Sequence, residues 1–381
     1  MVRVAAALAV LLASSIGASA QEPAPKKDAQ GGRMKAAFKS WAAQWGVQNA
    51  SFAVMRDDDV VGLAKVGDGD PKAPRPVASL SKAITGVCVA ELVESKKLSY
   101  GANLGKLLKA YFKKRPPADP AAKSITVGQL LNHAAGLTYD PTQGTAEFAA
   151  LDFKKPDLTS VTAMALNRPL GAKTYVYNNA NYAALGLVIE SVTGKSYEKA
   201  CSKLVLTPAG VKKAGFDPNW RIMASWGGWN ISAVDYAKFL DHFRPGSKLL
   251  KSPPSSWPQV GLEGGAFYSI GTYQRISRDG VTYNFWHSGA WRWSAASIPE
   301  RNVNYGAYFV VMFQNLRYVA NYAPQPPSAA IGDLDNVMWA AAYPARFSTK
   351  PAAPSAAAPA SEANGSDRGV EDIEIDRARQ R

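Results

Sequence analysis

Ser79-Leu80-Ser81-Lys82, followed by Ala83-Ile84-Thr85-Gly86-Val87-Cys88-Val89-Ala90-Glu91-Leu92-Val93, reads as a hydroxyl–amine pair opening a buried helix. Ile84, Val87, Cys88 and Leu92 recur at the spacing of one apolar helix face. Ser79 and Lys82 stand at i and i+3, so on a helix both side chains share one face. A serine hydroxyl is a weak nucleophile until a base takes its proton, and an amine desolvated beside it has its pKa lowered toward that task. At the start of a helix, the backbone N–H and the helix dipole favour a developing oxyanion. The spacing alone is not decisive, because Ser196-Tyr197-Glu198-Lys199 shares it. That second match follows Thr193-Gly194-Lys195, which reads as a helix end, so Ser196 is expected as an N-cap.

Two further motifs follow Ser79 in order: Tyr177-Asn178-Asn179, and His287-Ser288-Gly289 within Asn284-Phe285-Trp286-His287-Ser288-Gly289-Ala290. Together the three resemble the active-site motifs of the penicillin-recognising serine hydrolases, namely Ser-x-x-Lys, Tyr-x-Asn, and Lys or His followed by Thr or Ser and Gly. The tyrosine form of the second motif resembles the class C β-lactamase branch. That branch also holds D-alanyl-D-alanine carboxypeptidases, D-aminopeptidases and carboxylesterases. Ile125 to Leu137, Tyr182 to Gly194 and Gly227 to Leu240 are similar to supporting segments of the same branch, and the likeness runs from about Ser51 to about Asn315. Two departures concern the wall facing the substrate. His287 stands where class C lactamases carry lysine, and Ala290-Trp291-Arg292-Trp293 replaces a Pro-Gly turn.

The resemblance implies roles. Ser79 would be the nucleophile, with Lys82 and Tyr177 sharing the base function. Asn179 would hydrogen-bond Lys82 and the substrate carbonyl. His287 would donate to the leaving group or to Tyr177, Ser288 would bind a substrate carboxylate, and Gly289 completes the motif. The N–H groups of Ser79 and Ala290 would form the oxyanion hole. Taken singly, Ser79 also reads as a helix cap, Tyr177 as a core aromatic, Asn179 as a turn residue and His287 as a strand residue between aromatics. His133 is expected to be structural. Trp229, Trp286, Trp291 and Trp293 read as core packing or as an aromatic wall for an apolar acyl group. With an ordinary pKa of about 6.5, His287 would gain charge only below that pH, weakening carboxylate anchoring at neutral pH.

Arg3, the apolar run Val4 to Leu12 and the small-residue exit Ala18-Ser19-Ala20 read as a secretory signal over residues 1–20. Residues 21–33 read as a polar linker, 34–347 as the hydrolase domain and 348–381 as a disordered Ala/Pro/Ser-rich and charged tail. A periplasmic or secreted location follows as an expectation. The formal net charge of +14 belongs to the folded body, where it serves solubility or attracts anionic cell-envelope polymers. No arginine-rich helix or basic–aromatic motif suggests nucleic acid. Cys88 and Cys201 are free, buried thiols or a disulfide; sequence leaves both open. His133, His242 and His287 show no metal-ligand spacing, and no cofactor is expected.

Helix periodicity predicts an opening helix from Met34 to Trp45, then a hairpin of Ser51 to Arg56 and Val60 to Lys65 turned by Asp57-Asp58-Asp59. A mostly helical middle from Leu80 to Phe243 precedes strand-like runs at Phe267 to Ile276, Val281 to Trp286, Ala295 to Pro299 and Tyr305 to Phe313, with a last helix from Leu334 to Ala342. This is an α+β layout: an antiparallel sheet built from both termini, flanked by helices, with an inserted helical lobe, as in the β-lactamase/DD-peptidase fold that the resemblance implies. His287-Ser288-Gly289 would lie on an edge strand facing Ser79. The expected activity is acyl-enzyme hydrolysis of a small-molecule ester, amide or cell-wall peptide, of the carboxylesterase or D-Ala-peptidase kind. A β-lactamase, or an inactive relative kept as a cell-wall-binding module, is the alternative.

Overall fold

Alternation along strand β1 (Asn49–Arg56) sends side chains into two opposite cores. Phe52 and Val54 pack with Met34, Phe38, Trp41, Leu334 and Met338, while Ala53 and Met55 join Leu80, Ile84 and Val87 on the other face. The computed structural model describes residues 26–277, 282–293 and 303–347, so the expected signal, the tail and the run Ala295 to Pro299 lie outside the described residues. Strand β2 (Asp59–Val66) returns antiparallel to β1. A small sheet of β3 (Arg75–Pro76), β4 (Ala214–Phe216) and β5 (Trp229–Ile231), ordered β3-β5-β4, sits in the helical half. Strands β6 (Gln259–Gly261), β7 (Phe267–Ser269), β8 (Thr272–Ile276), β9 (Tyr283–Trp293), β10 (Val303–Val311) and β11 (Leu316–Ala323) complete the main sheet. Its order is β2-β1-β11-β10-β9-β8-β7-β6, antiparallel throughout, so both ends of the fold build it as expected.

Helix α1 (Lys27–Gln44) starts at Lys27 rather than Met34 and takes in part of the expected linker. The reason is tertiary. Gln30 Nε2 donates to Ala342 O, Arg33 Nε donates to Ala341 O, and a Cβ on Gly31 would lie 1.9 Å from Val61 O. The helix Ser328–Ala342 packs beside α1 and likewise begins earlier than Leu334. β11 was not expected as a strand, yet it is central, pairing with both β1 and β10. It is reached through Gln314 and Asn315, both with positive φ, a turn without the usual glycine.

The run Phe267 to Ile276 divides into β7 and β8 at Ile270-Gly271, where Gly271 has φ +83°. This turn presses on helix α2 (Ser81–Glu94). A Cβ on Gly86 would lie 1.9 Å from Ile270 O, and one on Gly271 would lie 2.2 Å from Lys82 O. A disulfide joins Cys88 of α2 to Cys201 of the helix Tyr197–Cys201, which resolves the alternatives for the cysteines. Tyr236 Oη donates to Leu80 O, Trp229 N–H donates to Ser81 Oγ, and Thr85 Oγ1 donates to Ser225 O. Helix α2 is therefore fixed by bonds from three directions. No helix among the described residues is long and apolar enough to cross a membrane.

Candidate active site

Ser79 sits in a 3₁₀ turn, Ala78–Leu80, immediately before α2 rather than inside its first turn. Ala78 has φ +48°, a left-handed conformation that L side chains adopt at a cost and that clusters at functional turns. Ser79 is partly exposed, whereas Ala78, Leu80, Ser81 and Lys82 are buried. The Lys82 Nζ donates to Ser79 Oγ at 2.9 Å and to Trp226 O at 3.1 Å, and it lies 4.7 Å from the centroid of the Tyr177 ring. The structure thus brings together Ser79, Lys82 and Tyr177.

The third motif reaches them on β9. The half of β9 up to Trp286 pairs with β8, whereas from His287 on its partner is β10. The motif strand is therefore interior to the sheet at one end and an edge at the other, and the edge half covers the nucleophile turn. A Cβ on Gly289 would sit 3.0 Å from Ser79 N and 2.8 Å from Val77 O, so glycine is what lets strand and turn meet. Ala290, the expected second oxyanion donor, is the next residue on that strand.

Two expected roles change. Asn179 does not bond Lys82. Its Nδ2 donates to Thr142 Oγ1 at 2.8 Å, its backbone N–H donates to Asp140 Oδ2 at 2.9 Å, and its Oδ1 is buried without a hydrogen-bond partner. The loop carrying Asp140 and Thr142 claims the amide. His287 is neither an exposed donor nor an ordinary imidazole. Its Nδ1 faces Ser288 O, which can only accept, so Nδ1 carries the proton and Nε2 is left to accept from Tyr268 Oη at 3.2 Å. Burial first, and the Lys82 charge second, push its pKa down to about 3. The expected charging of His287 near pH 6.5 is therefore replaced by a ring that stays neutral. Ser288 is buried beside it.

His133 does more than pack. Its ring stacks on Tyr177 with centroids 4.3 Å apart and planes at 29°. Its Nδ1 accepts from Asn178 N–H and from Asn181 Nδ2, both at 3.2 Å, which places the proton of the neutral ring on a buried Nε2 that has no hydrogen-bond partner. Burial, then the Lys82 charge, holds its pKa well below 6.5. Asn178, the middle residue of the second motif, caps the helix Asn179–Thr193 and donates to Leu137 O and Tyr139 O. It thereby fixes Tyr177 from the other side.

Tyr268, Trp226, Asp140 and Thr142 belong to this site but carried no sequence signal of their own. Asp140 alone could have been sought, lying just beyond the segment that ends at Leu137. Trp229 is core, its Nε1 donating to Tyr197 Oη. Trp291 packs edge-on against Trp220, which adjoins Phe153, and Trp286 stacks on Tyr273; the Trp293 side chain lies outside the described residues. Ser196 occupies the N-cap position but its side chain makes no capping bond; Glu190 Oε1 accepts from the Tyr197 N–H at the helix start. Ser196 and Lys199 are both exposed, so this second Ser-x-x-Lys match has no buried amine.

A serine on a strained turn, a buried lysine bonded to it, a tyrosine over that lysine and a glycine-bearing strand across the top define an acyl-transferring serine site on a β-lactamase/transpeptidase-like fold. The chain belongs to the Beta-lactamase family, whose family model matches residues 34–331. It is similar to "Protein flp" of Staphylococcus aureus strain MRSA252, 29% identical over 39% of this chain and 29% of that protein. It is also similar to an Escherichia coli K12 protein named "Putative D-alanyl-D-alanine carboxypeptidase", 21% identical over 45% of this chain and 44% of that protein. The chain thus spans less than half the length of these curated relatives. A D-stereospecific amidohydrolase from Streptomyces superposes with a TM-score of 0.63 at 18% identity, over 83% of this chain and 98% of that one.

Proposed function

We propose that this protein is an exported acyl-enzyme serine hydrolase whose substrates are esters or amides with no free carboxylate on the leaving side. The observation that carries the reading is the Lys82 Nζ bonded to Ser79 Oγ at 2.9 Å in a buried setting. Ser79 Oγ attacks the substrate carbonyl, and its proton passes to the Lys82–Tyr177 unit. The oxyanion is held by the N–H groups of Ser79 and Ala290. The C–O or C–N bond then breaks, the leaving group takes the proton, and water releases the acyl group from Ser79.

The substrate side rests on His287. With both ring nitrogens committed and the pKa at about 3, it offers no cation to a carboxylate. This favours esters and amides over β-lactams, and it agrees with the amidohydrolase likeness. The carboxypeptidase named among the relatives supports a second reading, in which a terminal carboxylate is anchored by another group. The signal-like N-terminus supports export, and the basic body supports contact with anionic envelope polymers.

The test is a substrate panel of p-nitrophenyl butyrate, a D-amino acid amide, a D-Ala-D-Ala peptide and nitrocefin, with a fluorophosphonate probe alongside. Labelling at Ser79 and turnover led by the ester or amide are expected. Nitrocefin or the free peptide turned over faster than both would overturn the substrate reading, and probe labelling retained in Ser79→Ala would overturn the mechanism.

A further inference from the structure

Residues 96–123 hold eight cations, Lys96, Lys97, Lys106, Lys109, Lys113, Lys114, Arg115 and Lys123, against the single carboxylate of Asp119. All eight cations are exposed, and among the described residues none is joined to a carboxylate by an ion pair. The segment is contiguous in space. Leu104 N–H donates to Ile125 O, Asn103 bridges to Thr126, and a Cβ on Gly105 would touch Lys123. It forms a basic cap on the helical lobe.

One edge of the cap, Tyr111 and Arg115, borders an open pocket of about 380 Å³ that Glu147, Met164, Asn167 and Arg168 complete. Tyr111 Oη is buried there without a hydrogen-bond partner. Burial pushes its pKa up to about 12, so it remains a hydrogen-bond donor at neutral pH. Arg168 approaches the one lining carboxylate, Glu147, at only 3.8 Å, and its guanidinium lies over the Tyr139 ring at 4.9 Å. Two guanidiniums and a spare phenol against one half-exposed carboxylate suit an anionic group rich in acceptor oxygens. The volume suits a unit of sugar size.

We propose that this cavity is a second, non-catalytic site that seats one carboxylate- or phosphate-bearing sugar unit of an anionic polysaccharide lying across the basic cap. The proposal deepens the polymer contact suggested above and is independent of the chemistry at Ser79. A membrane surface fits less well, because among the described residues the exposed large apolar side chains, Val60, Val176, Ile276 and Phe347, all lie outside the cap.

The experiment measures binding of a fluorescent oligogalacturonate to the full chain by anisotropy. Saturable binding is expected, weakening at least about tenfold between about 50 and 300 mM NaCl. Arg115→Glu and Arg168→Glu should each weaken it at least about fivefold, and Tyr111→Phe about twofold. Lys39→Glu and Lys65→Glu, the same charge change on exposed residues elsewhere, should weaken it less than about twofold. Ester turnover should be unchanged in all five variants, which shows that they fold. Ser79→Ala should lose ester turnover yet bind the oligosaccharide like the wild type; a wild-type protein that binds it but hydrolyses no ester or amide would count against the catalytic reading alone. The proposal is overturned if the control reversals weaken binding as much as the cavity ones. It is equally overturned if no saturable binding occurs, or if phosphatidylglycerol vesicles or single-stranded DNA bind more tightly at matched salt.

Discussion

The cleft and the cap use positive charge in opposite ways. In the cleft, one basic group, the Lys82 amine, is fully buried beside aromatic rings and bonds Ser79 Oγ at 2.9 Å and Trp226 O at 3.1 Å. On the cap, eight cations stand in solvent, none of them joined to a carboxylate by an ion pair among the described residues. A buried charge acts through geometry and low dielectric, so one atom displaced there matters greatly. Exposed charges act through number and are screened by salt, so none of them bears on the chemistry at Ser79. Substitutions in the two regions should therefore differ by orders of magnitude in their effect on catalysis.

The largest effects belong to the cleft. Ser79→Ala should abolish acylation, and Lys82→Ala and Tyr177→Phe should each lower it by about a thousandfold or more. The Lys82→Ala/Tyr177→Phe double variant should be little worse than either single one, because the two move one proton. Fully additive losses in pre-steady-state acylation would separate their roles. Ser196→Ala should leave labelling intact.

A smaller effect sharpens what His133 contributes. His133→Asn keeps an acceptor for Asn178 N–H but removes the ring under Tyr177, and about a 10- to 100-fold loss in kcat with little change in KM is expected. His133→Phe keeps the ring but strands the Asn178 and Asn181 donors, so it should cost more in melting temperature and less in kcat. Equal behaviour of the two in rate and stability would reduce His133 to packing.

A few-fold effect tests His287. Because it stays neutral far below pH 6, the nitrocefin-to-ester ratio should be flat from about pH 5 to 8 in the wild type. His287→Lys should raise that ratio. A wild-type ratio that climbs below about pH 6.5 would mean that the imidazole charges after all.

The smallest effect is on stability. His242 is lowered to about 4 by burial, and His287 to about 3. The unfolded chain takes up protons at both before the native state does, so their contribution is present above about pH 6.5 and is lost as the pH falls. Glu91, 3.8 Å from His242, runs the other way. Burial first, then Glu94, raises it to about 7, so its contribution is present below its unfolded pKa and lost as the pH rises through about 7. Glu91→Gln should therefore steepen the rise in melting temperature between about pH 5 and 6.5, where the two histidines outweigh Glu91; an unchanged slope would remove Glu91 from the balance.

What was legible in the sequence was whatever rests on local pattern. The helix after Ser79, the first hairpin, the sheet shared by both termini and the three motifs all show in periodicity or spacing. What escaped depends on distant partners. The start of α1 is decided by Gln30 and Gly31 meeting chain far away in sequence, and β11 enters through a turn with neither glycine nor proline. Tyr268 matters only because a hairpin turn folds it onto His287, and Asn179 is diverted by Asp140 and Thr142 from a loop nearly forty residues upstream (separations of 39 and 37).

The contact between Gly86 and Ile270 O has a practical consequence for anyone reshaping this protein. The turn that delivers Tyr268 rests on the same helix whose leading end presents Ser79, with no room for even a methyl group between them. Exchanging the segment from Phe267 to Ile276 for a longer or differently angled one, a natural route to new substrates, would push on the nucleophile itself. The tolerant places for redesign are instead exposed positions that do not bear on α2, such as Val176 beside Tyr177 in the chain.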